Sequence, residues 1–191
     1  MATFTDILRK EHEAILRMLD LTEEVARTFE GGGQVVPEAL TGLQEFFQLF
    51  ADRCHHSKEE ELLFPRLVEK GLPAGSGPIG IMLLEHEQGR SLIKEMGEAT
   101  QLFALGDRIA GARWAVAARS YATLLRQHIL KENNVLFDIA EGLLTEAEHR
   151  DLVKASEKVE EEKMGVGTHD RLHALMDGLT SIILSPSSRR K

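Results

Sequence analysis

Two ten-residue stretches of the chain align without a gap: His55-His56-Ser57-Lys58-Glu59-Glu60-Glu61-Leu62-Leu63-Phe64 and His128-Ile129-Leu130-Lys131-Glu132-Asn133-Asn134-Val135-Leu136-Phe137. His, Lys, Glu, Leu and Phe coincide at an offset of 73 residues. A shorter match precedes each copy, Glu11-His12-Glu13 against Glu85-His86-Glu87, at an offset of 74. Duplication on this scale implies two copies of one supersecondary unit sharing a core. Here the unit is a pair of helices, and two pairs about a pseudo-two-fold axis restrict the chain to folds in which four helices meet.

The punctuation of the sequence agrees. Thr3 with Asp6 reads as a capping box, followed by Ile7, Leu8, Ile15, Leu19 and Val25 at helical spacing. Gly31-Gly32-Gly33 stops that helix, and Pro37 suits the first turn of a second one over residues 37–70, which Pro65 should kink or end. A loop rich in Gly and Pro spans 71–78, and a third helix covers 79–104. Asp107 is the expected N-cap of a fourth, over 108–141. Thr145 with Glu148 opens a shorter charged helix to about residue 163, and the last helix carries Leu172, Leu175, Met176, Leu179 and Ile182. Aromatics at 5% and the absence of alternating patterns argue against strands. The predicted class is all-α: an up-down four-helix bundle over 1–143, two additional C-terminal helices packed on it over 144–184, and a basic tail over 185–191.

Charge and cysteine usage remove several function classes. A formal net charge of −8 repels phosphate backbones, so no nucleic-acid partner is expected. No run of about 18 apolar residues occurs, so no membrane partner is expected either. Cys54 is the single cysteine, which excludes an internal disulfide, and with charges where a signal peptide needs an apolar core the expectation is a cytoplasmic protein.

The chemistry lies in the histidines. Residues four apart share one helix face, so His55 with Glu59 and His128 with Glu132 each present an imidazole and a carboxylate together. His12 and His86 join them from the other two helices. Four His and two Glu inside a bundle are too polar for mere packing, because such groups need partners or a metal when buried. Mixed nitrogen and oxygen ligands suit iron, manganese or zinc, and carboxylates bridge ion pairs. The expected metal ligands are His12, His55, Glu59, His86, His128 and Glu132. Adjacent residues lie about 100° apart on an α-helix, so of His55 and His56 only the first, the one the repeat aligns, is expected inward, with His56 at the rim.

This set resembles the hemerythrin-like proteins, the HHE cation-binding bundles. The resemblance covers residues 3–141 and rests on His12, His55-x-x-x-Glu59-Glu60 with Leu63-Phe64-Pro65, His86, and His128-x-x-x-Glu132. It implies a non-haem centre of two iron ions bridged by the carboxylates, oxo-bridged in the oxidised state, with manganese or zinc as lesser alternatives. Oxygen-carrying members have a fifth His four residues after the third-helix His, where this chain has Arg90. Arg cannot ligate a metal, so an even share of four His is expected, as in the di-iron proteins linked to iron–sulfur cluster repair and nitric oxide stress. The implied partner is a small diatomic or peroxide ligand. The set favours a metal-binding protein in stress or iron handling over a turnover enzyme, with a di-iron peroxidase, nitric oxide reductase or cluster-repair catalyst as the alternative.

Other residues carry weaker signals. Tyr121 sits seven residues before His128, on its face, and is read as core packing over a role at the centre. Cys54 is read as an inert buried thiol, Lys58 and Lys131 as outward-pointing, and Glu60 and Glu61 as a solvated face rather than supports for imidazoles. Arg90 either closes the site, steers an anion or forms a salt bridge. His169 and His173, four apart, are read as surface or structural residues, and the last two helices either cover the bundle or make a homodimer interface.

Overall fold

Thr3 caps the first helix as its spacing implies: its hydroxyl accepts from the Asp6 amide, and the Asp6 carboxylate accepts from the Thr3 amide. The structure is a computed structural model that describes residues 2–165 and 167–185, apart from the side chains of residues 164 and 168–170. The tail beyond residue 185 and the His169 side chain thus lie outside the described residues. Six helices follow one another: α1 (Phe4–Glu30), α2 (37–69), α3 (Gly77–Ala104), α4 (109–143), α5 (Glu146–Met164) and α6 (Thr168–Leu184). There is no strand among the described residues.

Helices α1 to α4 form an up-down bundle in which α4 packs between α1 and α3, and α2 closes the ring. Asp107 accepts from the Ile109 amide at the start of α4, and Thr145 with Glu148 makes the second capping box. Pro65 does not end α2, which runs on to Glu69. Proline lacks the N–H an α-helical ladder requires. Here it falls just after the Phe64 amide has bonded back to the Glu59 carbonyl, where a π-type turn has already interrupted the ladder.

Two apolar clusters fill the bundle, one at each end. The larger gathers Ile15, Leu19, Phe46, Phe47, Trp114 and Tyr121 with their neighbours, and the smaller Phe4, Leu8, Leu63, Phe64, Met82, Leu136 and Phe137. Each of the four long helices therefore changes character midway, from Leu8 through His12 to Ile15 on α1 and from Leu125 through His128 to Leu136 on α4. A polar layer lies where the two clusters meet.

The C-terminal helices pack mainly against α1 and α2. Leu172, Met176, Leu179 and Ile183 of α6 belong to the larger cluster, and Leu179 sits over Gly42, where an added Cβ would come within 2.8 Å of it. At the other end His149 of α5 accepts the Phe4 amide, one of the first-turn donors of α1 that no helical carbonyl reaches. Because Leu179 is 2% exposed, Leu179→Ala should cost roughly 2–5 kcal/mol of stability in denaturant unfolding, the range for emptying a core position. A cost near zero would mean that α6 adds nothing to the core.

Candidate metal centre

Every residue of the predicted ligand set is buried: His12, His55, His86 and His128 are 1% exposed, and Glu59 and Glu132 are 0%. Each carboxylate turns its two oxygens to different imidazoles. Glu132 places Oε2 3.2 Å from His12 Nε2 and Oε1 3.1 Å from His128 Nε2. Glu59 places Oε1 3.6 Å from His55 Nε2 and Oε2 3.5 Å from His86 Nε2. The side chains sort into two groups, His12, His55, Glu59 and Glu132 in one and His56, Glu59, His86 and His128 in the other. Within each group the potential ligand atoms lie within 4.8 Å of one another.

His56 departs from the expectation of a rim residue: it is buried, its ring stacked 3.9 Å from that of His86. The reason lies in the backbone. Residues 47–56 and 59–63 of α2 are π-helical, as is the matching stretch 132–136 of α4. A π-turn holds more residues than an α-turn, so neighbours subtend a smaller angle, and both His55 and His56 face the centre. The position matching His56 in the second copy is Ile129, so the extra imidazole breaks the two-fold symmetry. The expected even share of four His is replaced by two in one group and three in the other. The adjacent pair His55-His56 was the available signal, but α-helical geometry discounted it.

The far nitrogens of the four repeat histidines are also held. His55 Nδ1 lies 2.8 Å from Glu11, His128 Nδ1 3.0 Å from Glu85, His86 Nδ1 2.6 Å from Glu60 and His12 Nδ1 2.9 Å from Asn133. These partners are themselves related by the repeat, Glu11 to Glu85 and Glu60 to Asn133. Such bonds fix each ring's orientation and leave Nε2 aimed inward. Glu60 is thus a support for His86, where a solvated face was expected, while Glu61 pairs with Lys163 at 2.7 Å. Arg90 forms salt bridges to Asp52, Glu60 and Glu87 at 2.8, 2.7 and 2.5 Å, so its charge is already matched. Lys58, expected outward, is 1% exposed and bonded to Glu11, whereas Lys131 is half-buried beside Glu85. Tyr121 packs edge-on against Phe47, and its hydroxyl has no hydrogen-bond partner among the described residues. Burial pushes the Cys54 thiol up to about 12, which keeps it protonated. His173 is exposed on α6 and lines a surface cavity with Glu11 and Glu160.

The layer leaves several buried polar atoms without partners. All four oxygens of Glu59 and Glu132, together with His12 Nε2 and both nitrogens of His56, are buried without a well-directed hydrogen bond. Orphaned acceptors of this kind are costly and rare in folded proteins. Burial and the neighbouring Glu132 drive the Glu59 carboxyl well above its usual range. At Glu132 burial acts the same way, but His128 and His12 outweigh it and hold the carboxyl well below that range. Burial and the nearby His12 push His55 down to about 4, and burial with His86 pushes His56 lower than usual. At His128 burial opposes the charge, yet Glu132 and Glu85 hold it up at about 9. Nitrogen and oxygen donors at this density, starved of partners, fit a metal.

A helical bundle with a buried His and Glu layer of this form defines a metal-binding bundle protein. The chain matches the hemerythrin HHE cation binding domain over residues 3–140 and belongs to that family. It is 35% identical over 148 residues to the iron-sulfur cluster repair protein DnrN of Neisseria gonorrhoeae, covering 71% of this chain and 88% of that one. It is 28% identical over 106 residues to the iron-sulfur cluster repair protein YtfE of Salmonella schwarzengrund, covering 53% and 48%. It is 24% identical over 163 residues to an uncharacterized protein of Mycobacterium tuberculosis, covering 85% of this chain and 63% of the relative's length. No solved structure matches the chain. No helix of the described residues is long and apolar enough to cross a membrane.

Protonation gives a direct check. In the metal-free chain at neutral pH, His128 carries a proton that a bound cation must displace, and burial beside Glu132 favours the protonated form of the Glu59 carboxyl as well. Uptake of zinc, a redox-inert probe, should therefore release protons and tighten from about pH 6 toward pH 9, by up to about tenfold per pH unit for each proton lost. Calorimetry in buffers of different ionisation enthalpy measures this, and a pH-independent affinity would contradict it.

Proposed function

We propose that the chain holds a non-haem di-iron centre at which oxygen, nitric oxide or peroxide binds or reacts. The observation that carries this reading is the pair of carboxylates, each offering one oxygen to each of two imidazole groups. That arrangement suits two ions sharing Glu59 and Glu132, with His12 and His55 for one and His56, His86 and His128 for the other. His56 is thus added to the six ligands expected from the sequence. When bound, the irons supply one-electron redox changes and exchangeable coordination positions.

The protein does the rest. Glu11, Glu85, Glu60 and Asn133 orient the imidazoles, and Glu59 and Glu132 would hold both ions. The clusters around Phe64 and Phe137 on one side and Phe47 and Tyr121 on the other keep bulk water from the layer. With three imidazoles against two, an ion held by His12 and His55 would have fewer protein donors than its neighbour.

A second reading, a repair catalyst or peroxidase, is favoured by the names of the Neisseria and Salmonella relatives. Repeated turnover of peroxide or nitric oxide, lost in Glu132→Ala, would support it, and a single stoichiometric reaction would argue for binding. The di-iron reading itself is tested by anaerobic reconstitution with ferrous iron. About two irons per chain are expected, with near-ultraviolet charge-transfer bands on exposure to air. His56→Ala should weaken one of the two ions by roughly tenfold or more, since loss of a mere outer-shell partner of a ligand already costs about 10–100-fold. A wild-type chain saturating at one iron, or His56→Ala behaving as wild type, would contradict the assignment.

A further inference from the structure

The supports behind His55 and His128 begin as copies of one another and then diverge. In each, an imidazole Nδ1 meets a glutamate from the preceding helix, Glu11 or Glu85, and a lysine three residues after the histidine clamps that glutamate. Behind Lys131 there is nothing further among the described contacts, and its side chain is 39% exposed. Behind Lys58 stands Glu160 of α5, 3.1 Å from the ammonium, and Lys58 is 1% exposed. Helix α5 packs mainly on α1 and α2, and among the described contacts none ties it to Glu85 or Lys131. Only one half of the centre is therefore tied to the C-terminal helices.

We propose that Lys58 and Glu160 are positioning residues through which α5 sets the ligand strength of His55, and with it the hold on one ion of the pair. This rests on the di-iron reading above. The chain of contacts is Glu160, Lys58, Glu11, His55, each link within hydrogen-bond distance. An imidazole that donates Nδ1–H to a stronger acceptor is the better ligand at Nε2. Glu160 shares the Lys58 ammonium, so less of its charge is spent on Glu11, and Glu11 remains a strong acceptor for His55. Without the Glu160 charge, Lys58 acts more fully on Glu11, Glu11 accepts less from His55, and that ion is held more weakly. Without both Lys58 and Glu160, Glu11 serves His55 alone, and the ion is held more tightly than in the wild type.

The opposed signs separate tuning from mere structural support. In the full chain loaded with iron, the rate of iron release to a ferrous chelator is followed for the wild type, Glu160→Gln, the Lys58→Met/Glu160→Gln double variant and Lys131→Met. Direct partners of ligand histidines change affinity by 10–100-fold, so one bond further out roughly threefold to tenfold is expected. Glu160→Gln should speed release of one of the two irons, the double variant should slow the same iron, and Lys131→Met should move the other phase. No change in Glu160→Gln, an equal change in all the iron, or faster release in both the single and the double variant overturns the proposal. A wild type that holds fewer than two irons overturns the di-iron reading as well; a wild type that holds two with those failures overturns this proposal alone. Circular dichroism accompanies each variant, and a double variant that does not fold counts as structural support and against tuning.

Discussion

The buried layer between the two apolar clusters is the constraint on which the rest of the molecule depends. Five imidazoles and two carboxylates sit at a depth where each unpaired polar group costs free energy, and no carboxylate oxygen has a well-directed hydrogen bond among the described residues. The protein alone can lower that cost only by shifting protons, which is what the raised Glu59 and the charged His128 represent. A bound cation would lower it by giving the orphaned carboxylate oxygens a partner. The fold then follows from the need to bring these side chains to one level. Four long helices, each apolar above and below the layer, do so with clusters that seal it at both ends.

Much of this was legible in the sequence. The repeat placed His55-x-x-x-Glu59 against His128-x-x-x-Glu132, and spacing alone brought four imidazoles and two carboxylates to one face each. Caps at Thr3 and Thr145 formed as their spacing implies. What the sequence hid is the backbone geometry. A π-turn has no residue signature as sharp as a cap, and without it His56 falls about 100° from His55 and out of the centre. The same turns let α2 pass through Pro65, where proline argued for an end.

The supporting shell was hidden for another reason. Lys58 and Lys131 occupy equivalent places in the repeat, and a lysine beside three glutamates reads as a solvated surface. Lys58 is buried because α5, far along the chain, lays Glu160 over it. Contacts between residues a hundred positions apart leave no local pattern, so sequence periodicity could place the core of the site but not its surroundings. The repeat did carry part of the answer, since Glu11 and Glu85 stand immediately before His12 and His86 and turned out to hold His55 and His128.

The most direct test of the central claim is the position of the metal itself. Diffraction from iron-loaded crystals at the iron absorption edge should give two anomalous peaks bridged by Glu59 and Glu132. One should lie against His12 and His55, the other against His56, His86 and His128. A single peak, or peaks away from the carboxylates with His56 turned aside, would contradict it.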